Sequence, residues 1–139
     1  SIQLKLGSKQ SFVCYYFARV VMRILLADDD ELVLESIKTA LELRGFHVTE
    51  ASDGEEALEK YSQGKQWDLV ILDLVMPERD GESVLNEIKR SNPTAKVMVI
   101  SGAGKTRSYR FLKTFPDVEF LPKPFTTPRL LSAVDRFRY

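Results

Sequence analysis

The sequence has few of the residues that cross-link small proteins or hold a zinc ion. There is one cysteine, Cys14, and one histidine, His47, among 139 residues. A disulfide scaffold and a zinc site built from histidine and cysteine are therefore excluded. The longest apolar run, residues 12–18, is too short to cross a membrane, which takes about 20 residues. The remaining composition, 44% hydrophobic and 29% charged, is typical of a globular domain with a hydrophobic core.

The chain also lacks a net charge, but its charges are unevenly distributed. Residues 1–21 contain three of the 20 basic residues and no acidic residue, so residues 22–139 carry 17 basic against 20 acidic residues. Neither the zero net charge of the whole chain nor the slight acidic excess of residues 22–139 implies bulk attraction to nucleic acid or to an anionic membrane. We therefore expect no membrane partner, and no DNA binding by this chain, since no helix-turn-helix pattern follows Tyr139.

Regular patterning begins directly after Met22, which predicts two parts. Residues 22–139 form the domain, and residues 1–21 form an N-terminal extension. The extension is either a native arm that binds a partner, or vector-encoded or upstream sequence before the true start. We favour the second interpretation because no periodicity links this segment to the domain.

From Met22 onward, short apolar runs alternate with helical patterns. Five strands are predicted, at residues 24–27, 47–51, 69–72, 97–100 and 118–121. Five helices are predicted, at about 31–44, 54–61, 82–90, 105–114 and 127–138. The first helix places Val33, Ile37, Ala40 and Leu41 on its inner face. This alternation predicts an α/β fold, with a parallel sheet, right-handed crossovers and helices on both faces.

Polar and charged residues stand at the carboxyl ends of these strands, where ligands bind in parallel sheets. Three carboxylates follow the first and third predicted strands, the fourth strand leads to a hydroxyl, and the fifth leads to an ammonium. These residues are Asp28, Asp29, Asp73, Ser101 and Lys123. Two like charges about 4 Å apart repel by about 4 kcal/mol at an effective dielectric constant of about 20. A cation is therefore needed: Lys123 is one, and Mg²⁺ suits the oxygen ligands.

The residue types at this edge favour phosphoryl transfer. Neither cysteine nor histidine is present here as a nucleophile, but a carboxylate attacks phosphorus to give an aspartyl phosphate. Asp73 is the predicted nucleophile because it ends a central strand. Asp28 and Asp29 would hold Mg²⁺, Lys123 would pair with a phosphoryl oxygen, and Ser101 would donate a hydrogen bond to it.

Four segments resemble the receiver domain of two-component response regulators, including the chemotaxis regulators. They are residues 23–30 (RILLADDD), 69–81 (LVILDLVMPERDG), 97–101 (VMVIS) and 123–125 (KPF), with further similarity at 51–58 (ASDGEEAL). The resemblance implies a flavodoxin-like fold, a doubly wound five-stranded parallel sheet in the order 2-1-3-4-5 with five helices. It also implies a cytoplasmic signalling switch, and not a metabolic enzyme, that takes a phosphoryl group from a histidine kinase or phosphotransfer protein.

The resemblance assigns a role to each residue at the predicted edge. Asp73 matches the phosphoacceptor, and Lys123 matches the family's lysine. Asp29, Asp73 and the backbone carbonyl of Val75 match the Mg²⁺ ligands. Asp28 matches a second acidic residue that often acts on the metal through water.

The resemblance also implies how the domain switches and how the chain runs after the fifth strand. Ser101 matches the switch serine or threonine, and Phe120 matches an aromatic switch residue that is often tyrosine. Phenylalanine keeps the rotamer change but gives up the hydroxyl. The bond between Lys123 and Pro124 is typically cis in this family. Phosphorylation would change the surface formed by the fourth predicted helix, the fifth strand and the fifth predicted helix.

Three other functions share single features with this sequence. The segment Gly104-Lys105-Thr106 resembles the end of a P-loop, but that pattern needs a glycine at position 99, where Val99 stands. A phosphatase of the Asp-x-Asp type would need an acid at Val75. An interaction module of the same fold that works without phosphorylation would predict folding without Mg²⁺ affinity, and the complete acidic set argues against it.

The basic and aromatic stretch at residues 105–116 is either a partner surface or an ordinary amphipathic helix. The chain is a stand-alone regulator, a piece of a transcription factor or the receiver end of a hybrid kinase. The motifs do not identify the cognate kinase, the pathway, the output partner or the oligomeric state.

Overall fold

The fold is a five-stranded parallel sheet with helices on both faces. The computed structural model describes residues 21–63, 66–76, 80–102 and 113–138. The strands are β1 (Arg23–Ala27), β2 (His47–Ala51), β3 (Leu69–Asp73), β4 (Val97–Ser101) and β5 (Glu119–Pro122). The helices are α1 (Glu31–Glu42), α2 (Gly54–Tyr61), α3 (Gly81–Ser91) and α4 (Thr127–Asp135). Most of the helix predicted at about 105–114 lies outside the described residues.

The strand order is β2-β1-β3-β4-β5, which confirms the predicted flavodoxin-like topology. All neighbours are parallel, with Ala27 opposite Leu72 and Asp73 opposite Ile100 near the carboxyl ends. Every residue of β3 and β4 is buried, as expected for uninterrupted apolar strands covered on both faces. This arrangement aligns the ends of β1, β3 and β4 at one edge of the sheet.

Two apolar layers cover the two faces of the sheet. On one face, Leu34 and Ile37 of α1 pack with Leu130 of α4. On the other face, Val84 and Leu85 of α3 pack against the strands together with α2 residues. Within the described residues, no helix is both long and apolar enough to span a membrane.

Each described helix begins at a residue whose side chain accepts backbone hydrogen bonds. Asp30, Asp53 and Asp80 cap α1, α2 and α3, and Thr126 caps α4. Such a cap stabilises a helix by about 1 kcal/mol. Asp30, Asp53 and Asp80 therefore have a structural role as helix caps.

The predicted inner face of α1 was partly wrong. Leu34, Ile37 and Leu41 are the buried residues, whereas Val33 and Ala40 are only partly buried. Ile37 and Leu41 are buried as predicted, and Leu34 takes the place of Val33 and Ala40. The buried face is therefore shifted toward Leu34, and the spacing of Leu34, Ile37 and Leu41 still fits one helical face.

Two element bounds also differ from the prediction at the C-terminal side. The last helix ends at Asp135 instead of about residue 138, although Phe137 still packs against the core. β5 begins one residue later than predicted because its pairing with β4 starts at Glu119. Val118 is buried but lies before the paired strand.

Candidate functional site

The structure brings the three predicted carboxylates together at the carboxyl edge of the sheet. Asp28 follows β1 directly, Asp29 is next to it, and Asp73 is the last residue of β3. One carboxylate oxygen from each residue lies within 4.8 Å of the others. Asp28 and Asp73 are buried, whereas Asp29 is exposed. The cluster therefore has a buried floor and one carboxylate that faces solvent.

Lys123 reaches this cluster from the connection after β5. Its Nζ lies 2.9 Å from Asp28 Oδ2 and 3.2 Å from Asp73 Oδ2. The Lys123 backbone N–H donates to the Ser101 carbonyl at 3.0 Å, which continues the strand pairing. The Lys123–Pro124 bond is cis, as predicted. One ammonium thus contacts both buried carboxylates.

Backbone groups orient the two buried carboxylates. The Asp30 N–H donates to Asp28 Oδ1 at 2.9 Å, and the Val75 N–H donates to Asp73 Oδ1 at 3.1 Å. The remaining oxygen of each carboxylate accepts from Lys123. Both carboxylates are therefore fixed before any ligand arrives, which is the preorganisation that catalytic sites use.

The electrostatics of the site leave negative charge uncompensated. Burial raises the pKa of Asp73 above 3.8, and the neighbouring Asp28 charge raises it further, although the Val75 N–H and Lys123 oppose the shift. Burial alone would lower the pKa of Lys123, but contacts with Asp28 and Asp73 outweigh it and raise the pKa above 10.5. When ionised, the three carboxylates exceed the single ammonium by two charges. A divalent cation with oxygen ligands fits this donor set.

Gly81 supports the site from behind, a role that the sequence analysis missed. A Cβ atom at this position would overlap the carbonyl oxygen of Asp73 and lie 2.6 Å from Leu74 Cα. The Gly81 N–H donates to the Leu74 carbonyl at 2.9 Å. The first residue of α3 must therefore lack a side chain so that the helix can pack against the end of β3. The Asp80-Gly81 pair was the available signal, but it indicated only a turn.

The remaining predicted residues lie on β4, on β5 and just after β3. Ser101 ends β4 and is buried, and Phe120 lies in β5, half-buried against the core. Val75 is 51% exposed. The switch roles of Ser101 and Phe120, and the Val75 carbonyl as a metal ligand, stay predictions. Val99 lies inside the buried strand β4, which excludes the P-loop alternative; residues 103–110 lie outside the described residues.

Comparison with known proteins assigns the chain and its fold to a family. The family model of the response regulator receiver domain matches residues 24–135. The chain belongs to the response regulator receiver domain family. Receiver domains act as signalling switches and interact with histidine kinases and output domains. The prediction of a signalling switch is confirmed at the level of the family.

Relatives of this receiver domain occur both alone and inside larger proteins. The chemotaxis protein CheY of Bacillus subtilis is 36% identical over 115 residues, which cover 82% of this chain and 95% of CheY. The sensor kinase CckA of Brucella abortus is 38% identical over 112 residues, or 80% of this chain. The match spans only 12% of the length of CckA.

A solved structure shows the same fold with ligands bound. The response regulator TrrA of Thermotoga maritima, in complex with Mg²⁺ and a beryllium fluoride, is 33% identical, with a TM-score of 0.75. The alignment covers 84% of this chain and 99% of TrrA.

Proposed function

We propose that this receiver domain takes a phosphoryl group onto Asp73 from a histidine kinase or phosphotransfer protein, in a Mg²⁺-dependent reaction. The observation that carries the proposal is the Asp73 carboxylate, buried at the end of β3 between Asp28 and Lys123. The domain comprises residues 22–139, with residues 1–21 as an extension, and it works in the cytoplasm. It catalyses only its own phosphorylation and dephosphorylation.

The donor set at the edge is suited to magnesium. Asp28, Asp29 and Asp73, together with the backbone carbonyl of Val75, would hold the ion. The carboxylate oxygens already converge within 4.8 Å of one another. Mg²⁺ prefers oxygen ligands and keeps several waters, so few protein ligands suffice. When bound, the ion neutralises negative charge on the carboxylates and on the incoming phosphoryl group.

Three side chains of the domain have separate roles in the transfer itself. An Asp73 oxygen attacks phosphorus, the bond from phosphorus to the donor nitrogen breaks, and that nitrogen keeps the electron pair. Lys123 exchanges its contact with Asp73 for a phosphoryl oxygen while it still pairs with Asp28. Ser101, at the end of the adjacent strand, donates a hydrogen bond to the same group. Positioning and charge neutralisation of this kind are the main requirements of phosphoryl transfer.

Phosphorylation then changes a surface away from the cluster. The new group brings a charge of about −1.5 to −2 and strong hydrogen-bond acceptors. Ser101 moves toward it and Phe120 turns inward into the vacated space. The surface formed by the helix predicted at 105–114, β5 and α4 changes, and so does its affinity for an output partner.

Intact mass after incubation with acetyl phosphate and Mg²⁺ tests the proposal. We expect one phosphoryl adduct that is absent from Asp73→Asn and absent when EDTA is added. Asp68→Asn is the matched control, because Asp68 is an exposed aspartate at the opposite edge of the sheet, before β3. It should carry the adduct like the wild type.

A folded wild-type chain without an adduct would contradict phosphorylation by this donor and favour the alternative interaction module. A Mg²⁺ titration by calorimetry then separates the two cases. Binding would indicate a strict need for a cognate kinase, whereas no binding would support the module.

A further inference from the structure

One buried charge in the structure has no part in the proposed reaction. Among the described residues, four polar or charged residues are buried, and three of them, Asp28, Asp73 and Ser101, belong to the site. The fourth is Lys89, near the end of α3 and at the opposite edge of the sheet, with its side chain only 5% exposed. A buried ammonium is costly unless it is fully paired. Its partners therefore indicate what it holds in place.

Lys89 binds two separate connections of the chain. Its Nζ donates to the carbonyls of Ala95 at 2.8 Å and Pro93 at 3.4 Å, between α3 and β4. It also donates to Asp117 Oδ2 at 2.6 Å, just before β5. That hydrogen bond lowers the pKa of Asp117 below 3.8, so this carboxylate is charged at neutral pH. We call Lys89, Pro93, Ala95 and Asp117 the Lys89 clamp.

The strand that follows Asp117 lies at one of the two edges of the described sheet. In the described sheet, β5 is an edge strand and pairs with β4 alone, whereas β1, β3 and β4 each pair on two sides. β5 contains Phe120 and leads directly to Lys123. A shift of β5 along its axis would therefore move the ammonium that contacts Asp28 and Asp73.

The clamp also connects this strand to the helix behind the phosphoacceptor. α3 begins at Gly81, which packs against the backbone of Asp73 and Leu74, and it reaches Lys89 about two turns later. The helix that supports Asp73 thus holds, at its other end, the segment that leads to Lys123. Besides the strand pairing through β4, α3 thus links the backbone of Asp73 to the segment before β5.

We infer that Lys89 is a positioning residue for phosphoryl transfer, because its clamp fixes β5 so that Lys123 Nζ reaches Asp28 and Asp73. The inference rests on the proposed function of Asp73. Lys123 acts on the phosphoryl group, whereas the carboxylates hold the metal. Loss of the clamp should therefore slow phosphorylation without weakening Mg²⁺ binding.

Lys89→Met tests this separation, because it removes the ammonium and keeps an unbranched apolar side chain. We expect the rate of Asp73 phosphorylation by acetyl phosphate, at saturating Mg²⁺, to fall about tenfold, since small misplacements of catalytic groups have large effects on rate. The Mg²⁺ dissociation constant, measured by calorimetry, should stay within about twofold of the wild type. Lys89→Arg keeps the cation and should recover part of the rate.

Arg90→Met is the matched control on the same helix. Arg90 is the next residue, its side chain is 74% exposed, and it pairs with Glu87 of the same helix at 2.7 Å. Arg90→Met removes one positive charge, as Lys89→Met does, but leaves the clamp intact. We therefore expect a wild-type phosphorylation rate and a wild-type Mg²⁺ dissociation constant. Asp117→Asn keeps the test informative if Lys89→Met does not fold, because the Asp117 side chain is 61% exposed. Where both single variants fold, the double variant Lys89→Met/Asp117→Asn should be phosphorylated no more slowly than Lys89→Met alone, because both substitutions remove the same interaction.

Three outcomes would overturn the inference. The first is a wild-type rate of phosphorylation in Lys89→Met. The second is a Lys89→Met variant whose phosphorylation rate and Mg²⁺ affinity fall by the same factor. The third is an equal loss of phosphorylation rate in Arg90→Met. If the wild-type chain itself takes no phosphoryl group, the proposed function fails first, and amide exchange then decides whether the clamp holds β5. The Lys123 N–H, bound to the Ser101 carbonyl at 3.0 Å, should exchange faster in Lys89→Met only. Unchanged exchange there would refute the clamp.

Discussion

Individual residues of the site are arranged for a ligand more than for stability. Asp28 and Asp73 are buried side by side, and Lys123 is the cation that contacts both. Burial raises the pKa of Asp73, and the Asp28 charge adds to this. The ionised form of Asp73 is therefore disfavoured in the folded chain when no metal is present. Three carboxylates face one ammonium, so a further cation bound here would stabilise the folded chain.

The first prediction follows from that imbalance. We expect Asp73→Asn to raise the melting temperature in EDTA at neutral pH by about 4 °C, or about 1 kcal/mol for a domain of this size. Asparagine has the same shape without the charge. Thermal unfolding followed by circular dichroism measures the effect, with the exposed Asp68→Asn as the control that should not change. An equal or lower melting temperature in Asp73→Asn would contradict the argument.

Residue types at strand ends were sufficient to predict which carboxylates meet. Parallel strands share one edge, so Asp28, Asp73 and Lys123 had to approach each other once the strand order was right. Lys89 could not be found in this way, because in the sequence it is an ordinary helical lysine. Its burial depends on two connections, residues 92–96 and 115–118, that meet only in the folded chain.

Among the elements, strands were easier to predict than the faces of helices. The uninterrupted apolar runs of β3 and β4 have one interpretation, burial on both sides. In α1, by contrast, Val33 and Leu34 are adjacent and both apolar, so periodicity alone does not say which one points inward. Docking against the sheet selects Leu34. The contact between α3 and β3 at Gly81 likewise belongs to packing, which local sequence does not encode.

The second prediction concerns this contact. We expect Gly81→Ala to lower the free energy of unfolding by about 1–3 kcal/mol, because the added methyl group overpacks against the β3 backbone. The methyl group would meet the Asp73 carbonyl, so Mg²⁺ affinity should fall as well. Urea unfolding and calorimetry measure the two effects. Gly102→Ala is the matched control for stability, since its Cβ would lie 3.9 Å from Lys123 Cβ, an ordinary contact. Equal stabilities of the two variants would argue against the close approach.

For the molecule as a whole, carboxylates with opposite pKa shifts shape the dependence of stability on pH. The Lys89 hydrogen bond lowers the pKa of Asp117, and the Ser52 backbone N–H lowers the pKa of Glu56. Burial raises the pKa of Asp73. A lowered pKa contributes stability above the unfolded value that is lost as pH falls through the folded value. A raised carboxyl pKa has the reverse effect: stability is lost as pH rises from the unfolded value through the folded value.

The third prediction is therefore a stability maximum in metal-free buffer, with separable causes on its two sides. On the acid side, stability should fall below the ordinary values of 3.8 for Asp117 and 4.5 for Glu56. On the other side, it should decline as pH rises above 3.8 and Asp73 ionises. Urea midpoints from about pH 3 to pH 8 in EDTA measure both sides.

Each side should respond to its own variant. Asp73→Asn should flatten the decline at higher pH and leave the acid side unchanged. Asp117→Asn should weaken the acid side and leave the decline at higher pH unchanged. If Asp73→Asn keeps the wild-type decline, the loss of stability at higher pH arises elsewhere in the molecule. The buried Asp73 charge would then not be the cause. If it removes the decline, the same buried charge that lowers stability without metal is the one available to bind a cation.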